Sequence, residues 1–220
     1  MIIHQIYFDW GKPYTDTPIF SQSLIAWKAF AEKNGYEYKF HTDELKTKLL
    51  EEYPQHKEFV SKLNHPQEHD FLKLLCIHHY GGVYIDMDIL PNCEDFKWIK
   101  TPLFRHDNGT DKKGEHFNID FFACEKGEEI IGSKLYESME QSYNQKKERY
   151  LELGWVGRFY LQTTGPYHFT RYIKKIGIDK IHSFDATTYR QNGKEPHFNC
   201  EDSKLIVYHA GSWSSFCSAV

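Results

Sequence analysis

"DFLKLLCIHHYGGVYIDMDIL", residues 70–90, sets the fold and the chemistry together. Phe71, Leu74, Leu75 and then His78 or His79 recur at helical spacing, and Gly81-Gly82 ends the helix. The run from Val83 to Leu90 reads as a buried strand, yet it carries Asp86 and Asp88. Such side chains almost never go fully inside unless they are paired or hold a metal. With a side-chain period of two, a strand puts both carboxylates on one face and Met87 on the other. Two carboxylates that close repel each other unless a cation sits between them, and oxygen ligands suit a hard divalent ion, Mg2+ or Mn2+. A bare DxD also occurs at strand ends facing solvent. Here helix, Gly-Gly and apolar strand put the pair at the carboxyl edge of a parallel sheet, where open α/β folds bind ligands.

The flanking sequence predicts that sheet. "IIHQIYF" (residues 2–8) reads as a buried strand running into a turn at "DWGKP". Residues 19–34 place Leu24, Trp27 and Ala31 at helical spacing and stop at Gly35. "YEYKFHT" alternates Tyr36, Tyr38 and Phe40 as a strand, and Asp43 opens another helix. Strand, helix, strand at this spacing predicts a right-handed crossover and an α/β fold with a mixed, mainly parallel sheet flanked by helices. Residues 51–66, interrupted by Pro54 and Pro66, predict short surface helices. Further on, the patterns predict a strand over 119–124, a helix from Glu128 to about Tyr143, and a helix from Pro166. A late strand is predicted at "KLIVYH" (204–209), and "NQKKERYLE" (144–152) reads as a solvated helix face or loop.

Composition limits the function classes. The 220 residues, 40% hydrophobic and 16% aromatic, suit one domain over residues 1–220, itself a candidate module of a longer protein. A net charge of −4 offers no basic field to gather nucleic acid or an anionic membrane. There is no signal-peptide pattern and no window of about 20 apolar residues, so the expectation is a soluble, cytoplasmic chain with no membrane span. Cys76, Cys93, Cys124, Cys200 and Cys217 are odd in number and form no CxxC pair, which fits a reducing compartment. The sequon at Asn108 is then a chance occurrence.

"DFLKLLCIHHYGGVYIDMDILP" resembles the DXD sugar-binding region of GT-A glycosyltransferases, in particular glycosyltransferase family 32, which holds the yeast initiating mannosyltransferases, with the clostridial glucosylating toxins as remoter relatives. "IHQIYF" is similar to that family's first strand, "TTGP" (163–166) to an internal segment, and "HAGSW" (209–213) to its carboxy-terminal motif. The resemblance implies a GT-A fold, with Asp88 binding the metal and Asp86 contacting the nucleotide ribose or the metal shell. It implies Asp70 and Lys73 as holders of sugar hydroxyls and Tyr84 against the donor. Relatives usually have arginine where Lys73 stands, so a planar bidentate donor is replaced by a single ammonium, and the donor sugar does not carry over. Tyr7 takes the place of a base-stacking tryptophan, a role a tyrosine can fill. Asn118 matches a recurrent asparagine, and Asp120 stands where relatives more often have a small residue, free to face acceptor or anomeric carbon, or to be a surface aspartate. Gly165 before Pro166 would let backbone amides approach a phosphate or sugar, or simply open a helix. His209, directly after a buried strand, is a candidate third metal ligand. Ser212 and Trp213 are candidates for phosphate or metal contact and for covering the site.

These parts predict a metal-dependent, retaining glycosyltransferase that takes a UDP- or GDP-sugar donor and a glycan or other hydroxyl acceptor. The alternatives are a catalytically silent nucleotide-sugar or glycan-binding domain and a metal-dependent phosphoesterase, whose sites usually gather more ligands from several loops.

Overall fold

The computed structural model describes residues 1–107, 116–177, 179, 181–189, 196–198 and 203–208. His209, Ser212 and Trp213 lie outside the described residues, as do Cys200, Cys217 and the sequon asparagine Asn108.

The six-stranded sheet contains β1 (Ile2–Ile6), β2 (Glu37–His41), β3 (Gly82–Ile85), β5 (Leu103–Asp107), β6 (His116–Cys124) and β7 (His182–Phe184), in the order β2-β1-β3-β6-β5-β7. β1 runs parallel to β2 and β3, whereas β6 is antiparallel to both its neighbours and β7 is parallel to β5. The predicted α/β class with a mixed sheet is what the chain forms. A second sheet, not foreseen, joins β4 (Ile89–Pro91), β10 (Leu205–Tyr208), β8 (Thr187–Tyr189) and β9 (Pro196–Phe198) in the order β4-β10-β8-β9.

Two helices sandwich the parallel strands. α1 (Pro18–Asn34) ends where Gly35 takes the left-handed φ of 68°. It packs Trp27, Phe30 and Ala31 against Ile3, Val83 and Ile85 on one sheet face. α4 (His65–Tyr80) covers the other, with Phe71 to Ile77 buried against Ile6, Tyr84 and Phe122. α4 is closed at its start by a capping box: Asn64 Oδ1 accepts from the Gln67 amide, and Gln67 Oε1 accepts from the Asn64 amide, both at 3.1 Å. The short α2 (Asp43–Glu52) and α3 (Lys57–Val60) precede it, and α5 (Ser133–Glu152), α6 (Val156–Thr163) and α7 (Pro166–Ile176) pack beyond it.

Two expectations change and a third holds. The segment 83–90 is not one strand: β3 ends at Ile85, residues 86–88 turn, and β4 leaves for the second sheet. Met87 is still buried and both aspartates are half-exposed, so the alternation survives the turn. The helix expected from Glu128 begins at Ser133 after a short 3-10 turn, and it continues through 144–152 to Glu152. "KLIVYH" does run beside the DXD segment, as β10 antiparallel to β4.

The Gly81-Gly82 pair is required sterically. Gly82 has a φ of 108°, and a Cβ there would stand 2.4 Å from the Ile2 carbonyl oxygen on the neighbouring strand. Gly82→Ala is therefore expected to destabilise the fold by about 3 kcal/mol or more, from backbone strain and a clash with main chain that cannot yield. Urea unfolding of the two proteins measures it, with Gly127→Ala, where a Cβ would meet nothing within 4 Å, as the control for positive φ alone.

Candidate active site

The site is built at the carboxyl ends of β1 and β3. Tyr84, last but one in β3, is fully buried and donates its hydroxyl to Asp86 Oδ1 at 2.5 Å. Lys73, one helical turn past Asp70 on α4, places its ammonium 2.6 Å from Asp70 Oδ1 and 3.5 Å from Asp86 Oδ1. The same ammonium sits 5.2 Å above the centre of the Tyr84 ring. Asp70, Lys73, Tyr84 and Asp86, four of the expected site residues, thus form one contact group.

From the far side, β6 brings Asp120. Its backbone carbonyl accepts from the Asp86 amide at 2.7 Å, which fixes the turn. Its carboxylate is gripped by Arg105 of β5: Nε lies 2.8 Å from Oδ1 and Nη2 lies 2.6 Å from Oδ2. Asn118 stands two residues earlier on β6, hence on the same face as Asp120. Arg105 was missed in sequence. It is only 1% exposed, lying within "LFRHD", a segment whose charge and brevity hid the strand.

The exit from the turn is held by α1. Trp27 Nε1 and Ser23 Oγ both donate to the Ile89 carbonyl, at 2.8 and 2.7 Å, and Gln5 reaches Ser23 at 2.9 Å. β10 closes the same corner, since the Tyr208 amide donates to the Asp88 carbonyl at 2.8 Å. The described chain thereby arrives at Asp88 one residue short of His209.

Tyr7 follows β1 with its amide on the His41 carbonyl, its hydroxyl donating to the Lys12 carbonyl, and its ring edge-on to Tyr14 and Phe20. Gly165 caps α7, but its own amide donates to the Tyr160 carbonyl at 3.1 Å, and a Cβ there would press on Leu161 and Tyr160. The space it leaves serves close packing. The "TTGP" segment acts similarly, because Thr163 accepts from Gln67 Nε2 at 2.8 Å and ties α6 to the first turn of α4.

Four carboxylates, those of Asp70, Asp86, Asp88 and Asp120, gather at this corner, with the Lys73 ammonium between Asp70 and Asp86 and Arg105 on Asp120. Burial pushes the Asp86 carboxyl up and Asp120 pushes it further, against the pull of Lys73. Asp70 is raised by burial as well. Burial alone would lower the Lys73 ammonium, but Asp70, Asp86 and Asp120 outweigh it and hold that group above its ordinary value. Asp70 Oδ2 is buried without a well-formed hydrogen bond among the described residues, although the Tyr160 hydroxyl lies close enough to draw its pKa down. Clustered carboxylate oxygens fit a hard divalent cation, and the half-buried Asp86 and Asp88 are the residues that would hold it.

Two isosteric changes separate these effects. Asp70→Asn strands the Lys73 ammonium with only the longer contact to Asp86, and a loss of about 3–5 kcal/mol is expected. Asp86→Asn keeps an acceptor for Tyr84 while removing a raised carboxylate. A folded-state pKa above the unfolded one means that the native state binds more protons, so this group's contribution falls as pH rises through its folded pKa. Without added metal, Asp86→Asn should accordingly match or exceed the parent in thermal midpoint at neutral pH, and its advantage should shrink on acidification. Melting curves over an acid-to-neutral series check both signs.

Residues 21–103 match the family described as the glycosyltransferase sugar-binding region containing the DXD motif. Among solved structures, the chain is similar to the PaToxG glycosyltransferase, at 15% identity and a TM-score of 0.51 over 80% of this chain and 69% of that one. It is also similar to a glycosyltransferase involved in glycosylation of the major capsid of PBCV-1 (9% identity, TM-score 0.44, 100% and 98% covered). A further likeness is to the ligand-free glycosyltransferase domain of the YGT toxin (13%, 0.46, 77% and 56%). No curated protein sequence matches the chain significantly. Residues 21–103 thus match the DXD-region model that the sequence led one to expect, the fold is similar to that of the PaToxG glycosyltransferase, and the match does not single out family 32.

Proposed function

Starting from a chain that carries a DXD glycosyltransferase region on a glycosyltransferase fold, we propose that it moves a hexosyl group from a UDP- or GDP-sugar to a hydroxyl of a glycan or other acceptor, with retention at the anomeric carbon and with Mn2+ or Mg2+. The observation that carries this reading is the gathering of carboxylates around Asp86 and Asp88 at the carboxyl edge of β3. Asp88 and Asp86 are the protein ligands, and His209 is assigned as the third. The ion, when bound, supplies charge to offset what gathers on the departing nucleoside diphosphate.

The remaining roles belong to the same proposal. Asp70 is assigned to a sugar hydroxyl, while Lys73 holds Asp70 and Asp86 in place beneath the donor. Tyr84 fixes Asp86 in one orientation by its hydroxyl. A carboxylate held in an arginine fork is a weak nucleophile, so Asp120 is assigned to positioning Asp86, with Asn118 beside it facing the reacting sugar. Tyr7 is assigned to the base, and Ser212 and Trp213, outside the described residues, are assigned to the phosphates. Gly165 keeps a packing role, its amide being already engaged.

Nucleoside diphosphate release from a panel of UDP- and GDP-sugars, with Mn2+, Mg2+ or chelator, tests the reading. Metal-dependent release from at least one donor is expected, and Asp88→Asn should lower it roughly a hundredfold or more. Donor binding with no release under any metal would mark a silent binding domain instead, and release unaffected by Asp88→Asn would remove the DXD pair from the mechanism.

A further inference from the structure

His4, His41 and Cys76 form a cluster that takes no part in the site above. They come from three elements, the middle of β1, the last residue of β2, and α4. In the parallel pairing Ile6 lies beside His41 and His4 beside Lys39, so both imidazoles stand on the sheet face that α4 covers. His4 Nδ1 is 2.9 Å from His41 Nε2, and Cys76 Sγ is 3.7 Å from the first and 3.9 Å from the second. Ligand atoms around a tetrahedral ion, at about 2.0–2.1 Å for nitrogen and about 2.3 Å for sulfur, stand roughly 3.3–3.6 Å apart. The observed spacings bracket that range, so side-chain shifts of a few tenths of an ångström would seat an ion.

Two further features prepare the cluster. His4 Nε2 lies 3.0 Å from the Gly81 carbonyl, which assigns the proton to Nε2 and leaves the Nδ1 lone pair facing the other two residues. A carbonyl behind a ligating imidazole is the usual outer partner in metal sites. Burial also keeps both rings neutral, with His4 pushed down to about 3 and His41 to about 4. The charged neighbours are Lys39 and Lys48, whose ammonium groups lie over the Tyr80 ring; burial holds the Cys76 thiol well above its ordinary value and Lys39 offsets part of that, so Cys76 is a protonated thiol until an ion displaces its proton.

We propose that His4 Nδ1, His41 Nε2 and Cys76 Sγ bind a borderline-soft transition-metal cation, Zn2+ in the first place, with the fourth position open to water on the half-exposed His41 side. Nitrogen and sulfur donors select against Mg2+ and Mn2+, which makes this site chemically distinct from the carboxylates of the DXD turn. On binding, the His41 proton moves from Nε2 to Nδ1 and the Cys76 thiol loses its proton to solvent, so one proton is released per ion. The bound ion ties β1 and β2 to α4 one helical turn beyond Lys73, a structural role independent of the transferase reading.

Cobalt titration of the chelator-stripped, full-length protein is the test. One equivalent of Co2+ should produce tetrahedral visible bands and a near-ultraviolet thiolate-to-cobalt charge-transfer band, both bleached by Zn2+. Cys76→Ser should lose the charge-transfer band, and His41→Gln, on the half-exposed edge strand, should weaken Co2+ binding at least tenfold. The Asp86→Asn/Asp88→Asn double variant should keep the band unchanged, which separates this site from the DXD pair. No charge-transfer band in the folded parent overturns the proposal, as does a band that survives Cys76→Ser and so belongs to another cysteine. Should Cys76→Ser fail to fold, loss of binding in folded His41→Gln supports the proposal and undiminished binding overturns it.

Discussion

The Lys73 ammonium, 3% exposed and set between Asp70 and Asp86 beneath the Tyr84 ring, is the contact on which the site depends. A buried cation stripped of a partner costs about 3–5 kcal/mol, a large share of a domain's net stability, so its two carboxylate neighbours are held where they are. That requirement fixes α4 against the end of β3. It links a helix residue, Asp70, to a turn residue, Asp86, through a single group, and it holds the DXD segment in one arrangement before any ligand arrives.

The turn itself is then braced from several sides by hydrogen bonds to its backbone. Asp120 accepts the Asp86 amide from β6, Ser23 and Trp27 of α1 take the Ile89 carbonyl, and Tyr208 donates to the Asp88 carbonyl from β10. Backbone groups dominate these contacts. The two aspartate side chains are thereby left to project, one restrained by Tyr84 and the other at the junction of the two sheets, which is what a pre-organised cation site requires.

How much of this was legible follows from the range of each interaction. Helix α4, the glycine stop and β3 were readable because period, cap and punctuation all lie within neighbouring residues. The break of the DXD run was not, because a continuous apolar pattern looks alike whether it stays in one sheet or passes to a second, and only the distant β10 decides it. Arg105 was invisible for a related reason. A charged residue in a short segment reads as surface until its partner, 15 residues on in an antiparallel neighbour, supplies the fork that lets it be buried. Asp120 was noticed in sequence as an odd residue for its position, but not what holds it. Lys73 was seen as a departure from the arginine of relatives, while its burial against two carboxylates needed the folded chain.

That departure has a structural logic. An arginine at position 73 would bring a planar fork into a space where one ammonium already makes a 2.6 Å contact on the helix side and a 3.5 Å contact on the turn side. The planar, bidentate cation of the site is instead Arg105, which engages Asp120 from β5. The two cations divide the work by geometry: the compact one fits among three acidic side chains and an aromatic ring, and the forked one immobilises a single carboxylate from behind. A sugar lying over Lys73 would therefore meet a carboxylate edge, Asp70 and Asp86, with the ammonium beneath it, and its hydroxyls would act mainly as donors.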